Sequence, residues 1–422
     1  MLCERTRGAD CEVTKHKGLY FVRGDIQMYM DDYLEVWAPI ARYSTLRVFL
    51  EFCSCRGLEM EQMDVATVVL NGDVETEIHI PQPRGYTRGA RGKVCKLKIA
   101  IYGFKQAAQA WYRKLKEMLG GSGFTAYDEE PCLFVGKAGA ALCLILVYVE
   151  DLLVAGQSAR AANGGLRVIS EAFKARELVS LAYFLRLHIE LDEAAKVLRA
   201  HQRQYVLTLM ERYGVANAHP VRLPMGVGIK MQKAGTLLTV ELVKVYRELF
   251  GALLYLCTET KPEIAYAVGR LTRYVSEPTV DHLSAARVVL RYMKRTRFLG
   301  ICFQTDGELQ SYGDADFAAD VDTRRSTSVL FFIYSGGAVV WGSKVQPTVA
   351  ASKTEAEYIA SAVTAKEAVW LCRLCGFLTG RMLPVTIRCD NQSALAMTLN
   401  PVSSARTKHF DICHHSVRES VV

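Results

Sequence analysis

The sequence predicts an α+β protein with several domains. Its 422 residues correspond to about three domains, at about 150 residues each. Of these residues 50% are hydrophobic and 23% are charged, a globular composition that argues against intrinsic disorder, collagen-like repeats and a coiled coil. Short strands and helices are mixed in residues 1–160, helices dominate residues 161–305, and an α/β pattern returns in residues 306–422.

The net charge and the lengths of the apolar runs bear on whether the protein binds a polyanion or spans a membrane. Lys and Arg number 52 against 44 Asp and Glu, a mild excess that is compatible with a polyanionic partner but does not establish one. The first 18 residues are charged and lack the apolar centre of a signal peptide. The longest apolar run, AGAALCLILVYV, stops at Glu150 after 12 residues, whereas a membrane helix needs about 20. We therefore expect no membrane span.

The 13 cysteines are scattered, which indicates reduced thiols in an intracellular protein. Cys372 and Cys375 have the spacing of a zinc motif, but no second motif of this kind completes a ligand set. Packing inside a helix is the favoured interpretation, and a zinc site is the alternative. Its further candidate ligands are Cys389, Cys413, His414 and His415.

In the first region, acids stand at the ends of apolar strands. The stretch from Thr45 to Gly57 predicts an amphipathic helix, and LEMEQMDVATVVLNGDV alternates up to Asp64 before a turn. AAQAWYRKLKEMLGGSGF predicts a second helix, and ALCLILVYVEDLLVAG predicts two buried strands whose turn carries Glu150 and Asp151. Strands that deliver acids to one point can seat the two divalent cations of an in-line phosphoryl transfer. The alternative for each acid is an ordinary turn or cap residue.

The middle region predicts three helices with Lys and Arg on their polar faces. They are HQRQYVLTLMERYGV, VELVKVYRELFGALLYLCTET and VDHLSAARVVLRYMKRTR. Their basic faces indicate either solvated surface or contact with nucleic acid.

The last region predicts a compact α/β module with a second group of acids. SYGDADFAAD and TSVLFFIYSGGAVVWGS are typical of hairpin strands, a long helix follows, and LPVTIRCDNQSALAM predicts a strand and then a helix. The acids Asp314, Glu355, Asp390 and Asp411 offer the oxygen ligands that magnesium prefers. Glu355 also fits a purely structural role in the first turn of a helix.

Ordered matches along nearly the whole chain resemble one family. The chain resembles the reverse transcriptase and ribonuclease H region of copia-type LTR retrotransposon Pol polyproteins. The matching stretches include VWAPIARYSTLR, MDVATVVLNGDVETEIHIPQPRGY, KVCKLKIAIYGFKQAAQAWY, LCLILVYVEDLLVAG, STSVLFFIYSGGAVVWGSKVQPTVAASKTEAEYIA and IRCDNQSALAMTLNPVSSARTKHFDI.

This resemblance implies a right-hand polymerase joined to a nuclease. Residues 1–160 would form the fingers and a ferredoxin-like palm, residues 161–305 the primer grip, helical thumb and connection, and residues 306–422 a ribonuclease H-like domain. The implied activities are RNA-directed DNA synthesis and cleavage of the RNA strand of a hybrid. The implied cofactor is Mg²⁺, two per active site, with Mn²⁺ as an alternative. The implied partners are an RNA template, a DNA primer, the RNA:DNA hybrid, dNTPs and other Gag and Pol parts.

The resemblance also assigns roles to residues of this chain. The polymerase metal ligands would be Asp64, Glu150 and Asp151, and the nuclease metal ligands Asp314, Glu355, Asp390 and Asp411. His409 would assist product release. Template and nucleotide contacts would come from Val69, Lys105 and Gln106, and the primer-grip hairpin would contain Phe184 and Leu185. The family further implies cytoplasmic particles and entry into the nucleus.

Five positions depart from the family pattern. Glu150 replaces Asp, and magnesium tolerates little displacement of a ligand. Val69 replaces the aromatic ring that blocks a ribose 2′-hydroxyl, and Leu19 replaces an Arg that grips the triphosphate. Arg186 replaces a turn Gly, and Ala108 replaces a Pro. These changes predict a weakened polymerase beside a nuclease with all four acids present. The alternative is an inactive nucleic-acid-binding remnant of a transposable element.

Overall fold

The computed structural model describes residues 21–399 apart from 84, 86–87, 90–91, 179–180, 227, 230 and 305–306, and the backbone of two strands before residue 20. The strands are β1 Leu2–Arg7, β2 Val13–Leu19, β3 Glu59–Val65, β4 His79–Pro81, β5 Val94–Lys96, β6 Thr125–Tyr127, β7 Glu130–Ala138, β8 Ala141–Tyr148, β9 Asp151–Gly156, β10 Ala175–Leu178, β11 Tyr183–Phe184, β12 Leu187–Asp192, β13 Val197–His201, β14 Ile301–Phe303, β15 Gln310–Ala315, β16 Thr327–Tyr334, β17 Gly337–Val345 and β18 Thr386–Arg388. The α-helices are α1 Tyr43–Cys55, α2 Ala107–Gly121, α3 Ala159–Ala172, α4 Arg203–Arg212, α5 Val240–Glu259, α6 Ala265–Thr272, α7 Val280–Thr296, α8 Lys353–Thr379 and α9 Gln392–Leu399.

The chain divides into two compact units. The first unit contains residues 1–42 and 58–181, and the second contains residues 43–57 and everything from residue 182 onward. The mixed α/β composition agrees with the predicted class. The three ranges 1–160, 161–305 and 306–422 stay a prediction about domain roles, because compactness alone assigns no role.

A six-stranded antiparallel sheet forms the centre of the first unit. Its strand order is β10-β3-β9-β8-β7-β6. β8 and β9 are the two buried strands predicted from their continuous apolar sequence. α3 packs closely on them at Gly165, where a Cβ would lie 2.7 Å from the Cys143 Sγ. α2 buries Trp111, Leu115 and Leu119, which recur every four residues on one face.

The second unit contains two four-stranded sheets and a helical core. The predicted middle helices are confirmed as α4, α5 and α7. The same region also contains the antiparallel sheet β11-β12-β13-β14, which the sequence analysis did not predict. Short alternating strands such as LHIELD carry too weak a periodicity to stand out beside long amphipathic helices. The helical core contains Val206, Leu209, Tyr246, Leu249, Leu253, Leu256, Leu271, Val289, Leu290 and Met293.

The C-terminal module of this unit has the sheet order β17-β16-β15-β18. The β16–β17 hairpin, the long helix α8 and the strand and helix β18 and α9 confirm the predicted elements. β15 pairs with β18 in parallel and with β16 antiparallel. α8 approaches β15 at Gly313, where a Cβ would lie 2.7 Å from the Thr364 Oγ1.

α1 belongs to the second unit although its sequence neighbours lie in the first. Residues 44–54 of this helix are all buried. The buried Arg47 guanidinium donates hydrogen bonds to the carbonyls of Val339 (2.7 Å), Thr258 (2.8 Å) and Glu259 (3.1 Å). It also lies 3.9 Å from the ring centre of Trp341. The charge is therefore compensated by peptide dipoles and an aromatic face.

Within the part of the chain that the structure describes, no helix is long and apolar enough to cross a membrane.

Candidate functional site

Strand pairing brings two of the predicted metal ligands together in the first unit. β3 and β9 are antiparallel, and Asp64 lies directly opposite Asp151. The Cα atoms of such a pair lie about 4.5–5.5 Å apart, and both side chains point to the same face of the sheet. The Val65 N–H donates to the Glu150 carbonyl at 3.0 Å, so the pairing continues past the two acids.

The turn between β8 and β9 carries Glu150 and is held from outside the sheet. Val149 has φ +57°, a left-handed conformation that costs a β-branched residue about 1–3 kcal/mol. The indole Nε1–H of Trp111 donates to the Val149 carbonyl at 3.0 Å. Trp111 is itself 3% exposed and packs edge-on against Phe173, with 4.9 Å between ring centres. α2 thus fixes the turn that presents the acids.

The three carboxylates repel one another. Burial, and then the charges of Glu150 and Asp64, raise the pKa of Asp151 from 3.8 to about 6. Burial, and then the charge of Glu150, also raise the pKa of Tyr102. Glu150 itself is exposed. Two opposed strand-end acids, of which Asp151 has a raised pKa, fit a divalent cation, whose charge would remove the repulsion. The Glu150 carboxylate does not complete a group of three ligand atoms within 4.8 Å of one another in the described residues.

Lys105 and Gln106 both contact one segment of the first unit. The Lys105 Nζ donates to the Gln27 carbonyl and to the Tyr33 hydroxyl, each at 3.2 Å. The Gln106 Nε2 donates to the Asp32 carbonyl at 3.0 Å. Both side chains therefore order residues 27–33.

Val69, Ala108 and Leu19 lie at three different places in the first unit. Val69 is half-buried in a short 3-10 helix, Val68–Asn71, and packs against the apolar cluster that contains Ile78 and Ile80. Ala108 is exposed in the first turn of α2. Leu19 ends β2, of which the structure describes the backbone alone.

A hairpin lies at the position predicted for the primer grip, in the second unit. Its role stays a prediction. Phe184 ends β11 and is 3% exposed, and β12 begins at Leu187. The two turn residues, Leu185 and Arg186, both have positive φ, +48° and +63°. The Tyr255 hydroxyl donates to the Leu185 carbonyl at 2.9 Å. The turn thus has the conformation in which the family's Gly is relaxed and Arg is strained.

Two acids of the C-terminal module, Glu357 and Asp390, lie close together, whereas the Asp314 carboxylate is not among the ligand atoms within 4.8 Å of one another in the described residues. The β15–β18 register pairs Tyr312 with Arg388, and two residues further along stand Asp314 and Asp390. The buried Glu357 lies on α8. Burial, and then the charges of Asp314 and Asp390, raise the pKa of Glu357 from 4.5 to about 7. Ligand atoms of Glu357, Cys389 and Asp390 all lie within 4.8 Å of one another.

Glu355 occupies a different position. Its Oε2 accepts a hydrogen bond from the Ala351 N–H at 2.7 Å, and its own N–H donates to the Ser352 Oγ at 3.2 Å. These contacts begin α8, so Glu355 performs the structural role left open by its sequence position. In the described residues, the Glu355 carboxylate does not belong to the group of close ligand atoms formed by Glu357, Cys389 and Asp390.

Glu357 was not among the site residues predicted from the sequence. Thr364 contacts β15 at Gly313, and Glu357 precedes Thr364 by two helical turns. The sequence does contain a signal for Glu357. This acid lies on the same helix face as the apolar Ala356 and Ala360, and that face packs on the sheet.

Several predicted residues lie outside the described residues. These are His409, Asp411, Cys413, His414 and His415. Cys372 and Cys375 lie within α8, where Cys375 is buried and the Cys372 Sγ contacts the Leu383 carbonyl at 3.0 Å. Neither thiol belongs to the group of close ligand atoms formed by Glu357, Cys389 and Asp390 in the described part of the chain.

The sequence of this chain is similar to reverse transcriptases and to retrotransposon Pol polyproteins. The family model described as reverse transcriptase (RNA-dependent DNA polymerase) matches residues 4–227. The chain is 34% identical over 98% of its length to the Retrovirus-related Pol polyprotein from transposon TNT 1-94 of Nicotiana tabacum, covering 32% of that protein. It is also 34% identical over 98% of its length to the corresponding polyprotein from transposon RE1 of Arabidopsis thaliana, covering 28% of it.

The chain thus spans about a third of the length of these curated relatives. Among solved structures, a foamy viral protease-reverse transcriptase in complex with double-stranded DNA matches with a TM-score of 0.48 and 12% identity. The match covers 92% of this chain and 59% of the other.

Proposed function

Because this chain belongs to the reverse transcriptase family of copia-type retrotransposon Pol polyproteins, we propose that it carries an RNA-directed DNA polymerase site in its first unit. The opposition of Asp64 and Asp151 across the β3–β9 pair is the observation that carries the proposal. The substrates would be an RNA template, a DNA primer and dNTPs, with other Gag and Pol parts as partners.

The residues of this site would have different roles in binding cations and positioning the chain. Asp64 and Asp151 would hold divalent cations, Mg²⁺ or Mn²⁺, whose charge stabilises the attacking and leaving oxygens of an in-line displacement. Trp111 fixes the turn that presents Asp151. Lys105 and Gln106 order the segment from Gln27 to Tyr33 beside the nucleotide pocket that the family implies.

Glu150 weakens this polymerase. Its side chain is one methylene longer than Asp, and a displacement of about 1 Å can cost on the order of 100-fold in rate. Val69 has a smaller side chain than the aromatic ring that the family places against a ribose 2′-hydroxyl, so discrimination against ribonucleotides is reduced as well.

A second activity is proposed for the C-terminal module: magnesium-dependent cleavage of the RNA strand of an RNA:DNA hybrid. Asp314, Glu357 and Asp390 are the described acids that would bind the cation, and the unpaired buried carboxylate of Glu357 supports the fit. Asp411 and His409 keep the roles that the resemblance implies. Glu355 supports this site through the start of α8.

Primer extension tests the polymerase. The full chain is incubated with a labelled DNA primer on an RNA template, dNTPs and Mg²⁺ or Mn²⁺, beside Asp64→Asn and Asp151→Asn. We expect slow extension by the unchanged chain and none by either variant. Extension that survives both substitutions would show that the activity does not belong to this site.

The unfavourable residues Glu150, Val69 and Leu19 favour a second candidate, an inactive nucleic-acid-binding remnant. It predicts salt-dependent binding of a hybrid duplex without extension or cleavage in either cation. Product formation that requires Asp151 excludes it.

A further inference from the structure

One ligand atom in the C-terminal acid cluster is a thiol. The Sγ of Cys389 lies within 4.8 Å of carboxylate oxygens of both Glu357 and Asp390. Cys389 is a half-buried free cysteine that follows β18 directly, and Asp390 is exposed. Cys389 therefore faces a cluster of carboxylates at the end of the sheet.

Glu357 provides an independent reason to expect a cation here. Glu357 is 1% exposed, and neither of its carboxylate oxygens has a hydrogen-bond partner among the described residues. A buried carboxylate in this state costs free energy unless it is protonated or binds a cation.

The thiol widens the choice of cation. Magnesium takes oxygen ligands, so it would use the carboxylates of this cluster and leave the sulfur unbound. Zinc, cobalt and cadmium accept thiolate together with carboxylate. With tetrahedral zinc–sulfur and zinc–oxygen bonds of about 2.3 and 2.0–2.2 Å, neighbouring ligand atoms lie about 3.3–3.6 Å apart. The atoms of the cluster lie within 4.8 Å of one another, so they need to approach by at most about 1.5 Å.

We propose that Cys389, Glu357 and Asp390 form a binding site for a thiophilic divalent cation of the zinc class. The Cys389 thiol binds as thiolate and releases its proton to solvent. The fourth ligand would be water or a further carboxylate oxygen. The site overlaps the magnesium site of the proposed nuclease, so zinc would inhibit hybrid cleavage; this consequence alone rests on the proposed function.

Cobalt titration tests the site without relying on activity. The full chain, kept reduced with a phosphine, is titrated with Co²⁺ while the near-ultraviolet thiolate-to-cobalt absorption is recorded. We expect one saturable equivalent of cobalt with this absorption, displaced by Zn²⁺. Cys389→Ser should abolish the absorption, and Glu357→Gln should weaken binding by at least about tenfold.

Cys302→Ser is the matched control, because Cys302 is also a half-buried free cysteine of the second unit. This variant should keep the full absorption. The proposal is overturned if the unchanged chain shows no such absorption, or if Cys389→Ser keeps it. Cys389→Ala serves as a second variant, and circular dichroism verifies that each variant is folded.

Hybrid cleavage separates the two proposals. If the nuclease is active, Zn²⁺ should inhibit it, and Cys389→Ser should require at least about tenfold more Zn²⁺ for the same inhibition. Equal inhibition of both proteins contradicts the overlap of the two sites. If no cleavage occurs in Mg²⁺, the proposed nuclease fails, and the cobalt absorption still decides the metal site.

Discussion

Asp64 faces Asp151 across the antiparallel pair of β3 and β9, and the Trp111 indole holds the adjoining turn at the Val149 carbonyl. Two strands and one helix thus place two like charges side by side in a half-buried position. Because of this arrangement, both the stability of the fold and its affinity for a cation depend on pH.

Asp64→Asn should stabilise the cation-free protein at high pH. The folded-state pKa of Asp151 is raised to about 6 from 3.8, so the folded protein holds a proton that the unfolded chain releases in this range. Stability therefore falls as pH rises from about 4 to above 6. Removing the Asp64 charge should recover about 0.5 kcal/mol at pH 8, because burial and the charge of Glu150 contribute more than Asp64 to the raised pKa of Asp151 and solvent screens the rest.

Thermal unfolding in EDTA at pH 5 and pH 8 measures this effect. Asp31→Asn, which removes an exposed acid of the same unit, should leave the pH dependence unchanged. A pH dependence that Asp64→Asn does not reduce would contradict the proposed repulsion.

Glu150→Asp should increase primer extension, by up to about 100-fold, because the shorter side chain returns its carboxylate to the position the family uses. Single-turnover extension on an RNA template measures the gain. Glu129→Asp makes the same change at an exposed residue of the first unit and should have no effect. Equal rates for Glu150→Asp and the unchanged chain would show that residue 150 does not limit the polymerase.

Glu357→Gln and Glu355→Gln should separate the two acids of α8. Glu357→Gln should lower hybrid cleavage by at least about 100-fold, because it removes a proposed cation ligand. It should also raise stability in EDTA more at pH 8 than at pH 5, since the Glu357 pKa is raised to about 7. Glu355→Gln should cost about 0.5–1 kcal/mol through the weakened helix start and leave cleavage nearly unchanged.

Cleavage of a labelled hybrid and thermal unfolding check both variants. The reverse result, with Glu355→Gln inactive and Glu357→Gln active, would return the catalytic role to Glu355.

Arg186→Gly should stabilise the second unit by about 0.5–1 kcal/mol. Arg186 adopts φ +63°, which Gly accepts without strain, although Gly also adds entropy to the unfolded chain. Urea unfolding measures the gain. Arg186→Ala removes the same charge but keeps a Cβ, so it should give no comparable gain. If both variants stabilise equally, charge and not backbone strain is responsible.

Trp111→Phe should lower primer extension by about tenfold while α2 stays packed, because it removes the hydrogen bond to Val149 and keeps an aromatic ring. Tyr112→Phe is the matched control, since it removes a 3.0 Å hydrogen bond to the Pro131 carbonyl in the same unit. Both should lose about 1 kcal/mol of stability, measured by urea unfolding. Equal activity of the two variants would contradict a role for Trp111 in positioning the turn.

Local periodicity predicted the elements that carry the first site. β8 and β9 follow from a continuous apolar sequence interrupted by two acids, and α2 follows from Trp111, Leu115 and Leu119 at helical spacing. The register that opposes Asp64 to Asp151 depends on pairing between distant strands, so only the resemblance indicated it.

The choice between Glu355 and Glu357 could not be made from local pattern. The two residues lie on different faces of α8, and the face that meets β15 is set by the close approach at Gly313. The burial of Arg47 likewise could not be predicted from local pattern. A charged residue in an amphipathic helix is expected at the surface, yet here three backbone carbonyls and Trp341 surround it.

The placement of α1 limits how this protein can be divided. Since Tyr43–Gly57 packs with residues after 182, the chain passes between the units three times. No single proteolytic cut yields two intact halves. A fragment that begins at residue 182 would leave the Val339 and Thr258 carbonyls without the guanidinium that covers them. We expect such a fragment to recover its fold only when a peptide spanning residues 43–57 is supplied in trans.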